Sequence, residues 1–110
     1  MNIGGYVVLT LKFNKEGRRW TACCEELGTA TFGRSLKEAQ EKILEAVLLD
    51  LETLEEIGER ERFFKEHNIQ LHRTKPGKDA LIPVTADKGV FFQPLIQPLP
   101  QKAGKEKVPA

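Results

Sequence analysis

An α+β domain, with a three- or four-stranded and mainly antiparallel sheet covered by one long helix, is what this sequence predicts, and three observations carry it. From Ser35 to Ile57 apolar residues recur at steps of three and four, the spacing that lines one face of a helix. Such a helix runs roughly 35 Å at ~1.5 Å per residue, about the width of a small domain, so it spans whatever sheet it covers. The stretch before it breaks into short alternating segments separated by turn residues, the pattern of strands.

Taken in order, Tyr6 to Phe13 alternates Val7, Leu9, Leu11 and Phe13 against Tyr6, Val8, Thr10 and Lys12, so a strand is expected whose second face is only half polar. Asn14-Lys15-Glu16-Gly17 supplies a turn, and Arg19 to Cys24 resumes the alternation, which makes a hairpin. Gly28 opens a third short run, Thr29 to Phe32. Ser35-Leu36-Lys37-Glu38 reads as a capping box, with Ser35 accepting from the amide three residues on and Glu38 reaching back. Leu36, Ala39, Ile43, Ala46, Val47, Leu51 and Leu54 form the buried face, and Leu44, Leu48 and Leu49 widen it. Lys37, Glu38, Glu41, Lys42, Glu45 and Glu52 make the wet side.

Gly58 stands where the helix would stop, and Glu59 to Glu66 restarts a short helical piece that returns Phe63 and Phe64 to the core. Ile69 to Arg73 alternates and is a candidate fourth strand. The turn residues Lys75-Pro76-Gly77-Lys78 would let Ala80 to Thr85 pair back, with Pro83 implying an edge position. Val90 to Pro100 is apolar but broken by three prolines, so an extended arm is expected, lying in its own domain's groove or on another subunit. The organisation is thus an α+β domain over residues 1–73, an extended hairpin or arm over 74–100, and a disordered tail over 101–110.

A net charge of +1 hides a gradient. Ser35 to Arg62 holds nine acidic and four basic residues, whereas Lys65 to Ala110 holds eight basic and four acidic. An acidic helix suits a basic partner, although a solvated helix face is the more ordinary source of such a pattern. No apolar run approaches the length of a membrane span, and the first residues lack the features of a signal peptide, so a cytoplasmic protein is expected. Cys23 and Cys24 are adjacent, a spacing poorly suited to a mutual disulfide or a zinc site, and strand alternation would turn them to opposite faces.

The chemistry of catalysis finds little footing in this sequence. His67 and His72 lie in a polar stretch without an identifiable partnered acid, and Gly4-Gly5 precedes a strand rather than a helix, so it is not a phosphate loop. Converging carboxylates for metal-assisted phosphoryl chemistry are missing from the first strand, and the Glu25-Glu26 pair reads as the cap of a loop. Trp20 reads first as a strand aromatic packing beside the helix and second as a ligand-stacking residue. No enzyme activity, cofactor or metal is expected.

Several words in order do carry a resemblance: Trp20 to Gly28, then Gly33-Arg34-Ser35-Leu36-Lys37-Glu38-Ala39, Ile43-Leu44-Glu45-Ala46 and Leu54 to Glu61. Together they resemble the N-terminal domain of HicB family antitoxins, over about Tyr6 to Ile69. The resemblance implies a partial ribonuclease H-like fold, βββα(β), without the nuclease's acidic site. It further implies neutralisation of a small basic HicA-like toxin, an RNA-cleaving protein, by stoichiometric contact, and a homodimer or higher homo-oligomer. Two features depart from the family. The loop proline before Glu25 or Glu26 is absent, and no amphipathic helix after Arg73 could build a DNA-binding domain, so direct DNA binding is not expected. The partner-binding candidates are Glu41, Glu45 and Glu52 on the helix and Phe91, Phe92 and Leu95 on the arm. The alternative is a solitary homo-oligomeric interaction or regulatory module with no toxin partner.

Overall fold

The computed structural model describes residues 3–77, 84–87 and 89–100. Its elements are β1 (Ile3–Glu16), β2 (Arg19–Cys24), β3 (Thr29–Gly33), α1 (Leu36–Glu56), α2 (Arg60–Glu66), β4 (Val84–Asp87) and β5 (Val90–Pro100). The strands form one antiparallel sheet in the order β3-β2-β1-β5-β4. The α+β class and the βββα order are those the sequence predicts. The sheet has five strands, because the proline-rich segment joins it directly beside β1.

Alternation on β1 places Val7, Leu9, Leu11 and Phe13 on one face, where all four are buried. Ala22 and Cys24 of β2 lie beside them, and the row Ala39, Ile43, Val47 and Leu51 of α1 closes over the top. A row of residues four apart gives the helix a narrow contact line. It falls on β3 and β2 rather than on β5. The expected widening by Leu44, Leu48 and Leu49 does not occur, since those leucines are 42%, 38% and 62% exposed. They project from a helix whose contact line is already filled.

The start of α1 follows the predicted box with one change. Ser35 accepts from the Glu38 amide at 3.1 Å, while Glu38 Oε1 accepts from the amide of Arg34 at 2.6 Å, one residue before the cap. Its other end has the amides of Gly58 and Glu59 donating to Glu55 and Leu54, a Schellman closure with Gly58 at φ +73°. The same closure ends α2: Asn68, at φ +55°, donates to Lys65, and Ile69 donates to Phe64. Ile69 and Phe64 are consequently buried together.

That closure explains why Ile69 to Arg73 is not the fourth strand. Ile69 is used to seal α2, and only His72 meets the sheet, exchanging backbone bonds of 2.7 and 2.8 Å with Tyr6. Val84 and Thr85 belong to β4 and pair with β5, not with Ile69 to Arg73. Pro83 and the remainder of the 78–83 stretch lie outside the described residues, as does the 101–110 tail.

The prolines of β5 fit a strand paired with β1 because of their parity and because β4 ends before them. Lys15 donates to Gly89, while Tyr6 and Thr10 bond on the other side of β1, so the odd residues of β1 point at β5. In this register they pair with Gln93, Leu95 and Gln97. Pro94, Pro98 and Pro100 therefore turn their ring nitrogens outward, where no donor to β1 is lost. β4 pairs only as far as Phe92.

Gly33 is where sheet and helix approach most closely, since a Cβ there would stand 2.6 Å from the Ala39 nitrogen and 3.0 Å from the Glu38 backbone. Gly33→Ala should cost about 1–3 kcal/mol in urea unfolding, because strand and helix must part to admit one methyl. A second outcome concerns pH. The Arg34 amide first, and the Lys42 and Arg34 charges after it, hold the Glu38 carboxyl below its ordinary value of 4.5. A lowered folded value means that this contribution is present above the unfolded value and lost as pH falls through the folded one. The stability gap between wild type and Glu38→Gln should be constant above about pH 5.5 and close at lower pH.

Candidate partner-binding surface

Glu41, Glu45 and Glu52 share one face of α1 with Leu48, at spacings of four, seven and eleven residues, and all are exposed. Leu44 lies to one side of this strip and Leu49 to the other, so apolar side chains interleave with carboxylates on the outward surface of the helix. None of these three glutamates has an ion-pair partner among the described residues. The flank continues toward β5, where the Gln40 Nε2 donates to Gln93 Oε1 at 3.2 Å. Because α1 lies over β2 and β3, the helix-side residues Gln93, Leu95 and Gln97 of β5 are only half buried. Leu95 packs against the core from there.

The structure does not gather all six sequence candidates. The three glutamates and Leu95 lie on the helix side of the sheet. Phe92 lies on the opposite face, opposite Lys12 in the β1 register, with the Lys12 ammonium 5.8 Å from its ring centre. Phe91 is a β5 residue by its backbone, and its side chain lies outside the described residues. What sequence reasoning missed is the exposure of Leu44, Leu48 and Leu49. Their spacing is as compatible with a wide buried face as with a partner-facing strip, and only the position of the helix on the sheet separates the two.

The loop after β2 has a structural use. β2 ends at Cys24, opposite Leu11, and leaves the β1 edge open at Thr10. Glu26 fills it: Oε1 accepts from the Thr10 amide at 2.7 Å, Oε2 accepts from its hydroxyl at 2.8 Å, and the Glu25 amide donates to the Thr10 carbonyl at 2.9 Å. A carboxylate thus completes the ladder where the strand cannot. On the far side of the sheet-helix seam the Thr29 hydroxyl donates to Asp50, tying β3 to α1.

Compared with family models, curated proteins and solved structures, the chain matches none. The HicB resemblance therefore rests on the sequence words quoted above.

Cys23 and Cys24 are free and point to opposite faces. Burial pushes the Cys24 thiol up to about 11, and burial together with Glu25 raises that of Cys23, so both resist ionisation at neutral pH. His67 stacks on Phe63 with ring centres 3.9 Å apart, while His72 serves the sheet edge through its backbone. Among the described residues no three His, Cys, Asp or Glu side chains converge as a metal site, and no helix is long and apolar enough to cross a membrane.

Removing the Glu26 carboxylate tests its role. Glu26→Ala should lower stability by about 1–2 kcal/mol by leaving the Thr10 amide without its partner, whereas Glu26→Gln, which keeps an acceptor, should lose less than half of that. Urea denaturation of the two variants distinguishes these outcomes.

Proposed function

We propose that this chain is a HicB-like antitoxin, or a protein derived from one, that binds a small basic RNA-cleaving protein stoichiometrically and without chemistry of its own. The observation that carries the proposal is the outward strip of α1, where Leu44, Leu48 and Leu49 stand exposed among Glu41, Glu45 and Glu52. Interleaved apolar and acidic side chains on a rigid helix suit a partner that offers lysines or arginines around an apolar centre. The carboxylates would steer encounter, and the leucines would supply the burial that slows dissociation. The ordered resemblance to HicB antitoxins supports the same reading. In this proposal the protein acts in the cytoplasm as a dimer, and DNA binding is not part of its action.

The alternative reading is a solitary homo-oligomeric module, and one observation favours it. The sheet face away from α1 is apolar along β5 and the first half of β1. The two readings use different surfaces and are separable by experiment.

Co-expression with a small basic protein encoded beside this one should yield a complex of fixed stoichiometry and relieve the growth inhibition that the partner causes alone. Glu41→Lys with Glu45→Lys should weaken that complex at least tenfold and reverse its salt dependence, with unfolding free energy changed by no more than about 0.5 kcal/mol. Failure to co-purify, or an affinity unmoved by the double reversal, counts against the proposal.

A further inference from the structure

Basic residues collect around an exposed ring where the β1-β2 turn meets the end of β3. An open cleft of ≈ 270 Å³ is lined there by Arg18, Arg19, Phe32, Gly33 and Arg34. Two local features bring these residues together. Gly17, at φ +65°, and Arg18 form the two-residue turn between Glu16 and Arg19, which sets both arginines at the hairpin end. The register then places Gly33 opposite Trp20, so that β3 and the Arg34 that follows it return to the same end. Phe32 is 54% exposed, and charges stand about it: the Arg19 guanidinium lies 5.0 Å and the Lys42 ammonium 5.9 Å from the ring centre.

Three properties of the cleft decide what it can take. The first is charge. Its lining residues carry three positive charges and no negative one. None of Arg18, Arg19, Arg34 and Lys42 has an ion-pair partner among the described residues. Of the acids at this end, Glu16 is set across from Arg19 in the hairpin register, and Glu38 holds the Arg34 amide at 2.6 Å. The cleft therefore attracts anions.

Donor type is the second. Arginine presents a planar fork that matches phosphate oxygens in pairs, and contact with an aromatic face holds such a fork in place before a ligand arrives. The third is the apolar part of the lining. Phe32 and the bare backbone of Gly33 stand among the arginines, and aromatic rings and guanidinium planes are the surfaces on which unpaired bases stack. An acidic peptide would use the charges and leave the stacking surface idle.

We propose that this cleft binds single-stranded RNA, with its arginines on the phosphates and Phe32 and Arg19 against a base. Unpaired bases are what RNA loops and ends expose to proteins, and reading them needs no helix in a duplex groove. The proposal goes beyond the antitoxin reading and stands without the toxin partner.

The test is titration of the purified full chain into labelled single-stranded RNA of mixed sequence, about twelve nucleotides long, followed by anisotropy over a range of salt. Binding is expected, with log affinity falling against log salt at a slope of roughly −2, ~0.7 for each of three arginine contacts. Arg18→Ala with Arg34→Ala should weaken binding at least tenfold and bring the slope to about −0.7. Phe32→Leu should weaken binding at least threefold with the slope unchanged, since it removes stacking surface and no charge. Thermal unfolding of each variant reads the fold separately. RNA that does not bind, or an affinity unmoved by either variant, overturns the proposal. Equal or tighter binding of a polyglutamate peptide of matched charge also overturns it, and makes the cleft a site for an acidic protein. A preference for duplex RNA over the single strand overturns the stacking role. Each of these results leaves the α1 strip and its basic partner standing, because Glu41→Lys with Glu45→Lys reads that surface separately.

Discussion

The contact line between α1 and the sheet is the constraint on which the rest of this structure depends. Ala39, Ile43, Val47 and Leu51 form a single row, and that row closes over Val7, Leu9, Leu11, Phe13, Ala22 and Cys24. Gly33 sets how near the helix can come, and the cap at Ser35 sets where it begins. A row this narrow cannot cover five strands. Once it is seated over β2 and β3, the neighbouring leucines of α1 must face outward, and Gln93, Leu95 and Gln97 on the helix side of β5 remain half open. The candidate binding strip is a geometric consequence of where the helix sits.

The second constraint is the long central strand. β1 has fourteen residues, and each of its edges needs hydrogen-bond partners along that length. β5 serves one edge through most of it. On the other, β2 reaches only from Leu11 to Glu16, and the remainder is met piecemeal by Glu26 at Thr10 and by His72 at Tyr6. An acid that catalysis does not claim, Glu26, thus acquires a role from the unfinished ladder beside it. Likewise the prolines of β5 are compatible with pairing to β1 because all three fall on the parity that faces away from it, beyond the reach of β4.

The two faces of the molecule differ in electrostatics. The α1 strip offers carboxylates with leucines, which attracts cations and then buries apolar area. The opposite sheet face mixes the apolar side chains of β5 with Tyr6, Thr10, Lys12, Asn14 and Glu16 of β1, and Lys12 lies over the Phe92 ring. A hetero-partner of opposite charge suits the first.

Local chemistry made much of the fold legible in the sequence. The hairpin follows from period-two alternation around a glycine turn, the helix from its period and its Ser35 cap, and its end from Gly58, because these are decided by residues within one or two turns of chain. The α+β order follows from the same signals. The candidate site was legible only in part: Glu41, Glu45 and Glu52 could be placed on the wet side by spacing, whereas the exposure of Leu44, Leu48 and Leu49 could not. Tertiary structure alone decided that Leu95 faces α1 and Phe92 faces away from it, that Ile69 seals a helix instead of starting a strand, and that Val90 to Pro100 pairs directly with β1. The reason is common to all of these. Spacing fixes which residues share a face, but which face is covered depends on contacts between segments distant in the chain, and one strand's pairing register or one helix's lateral position is enough to reverse it.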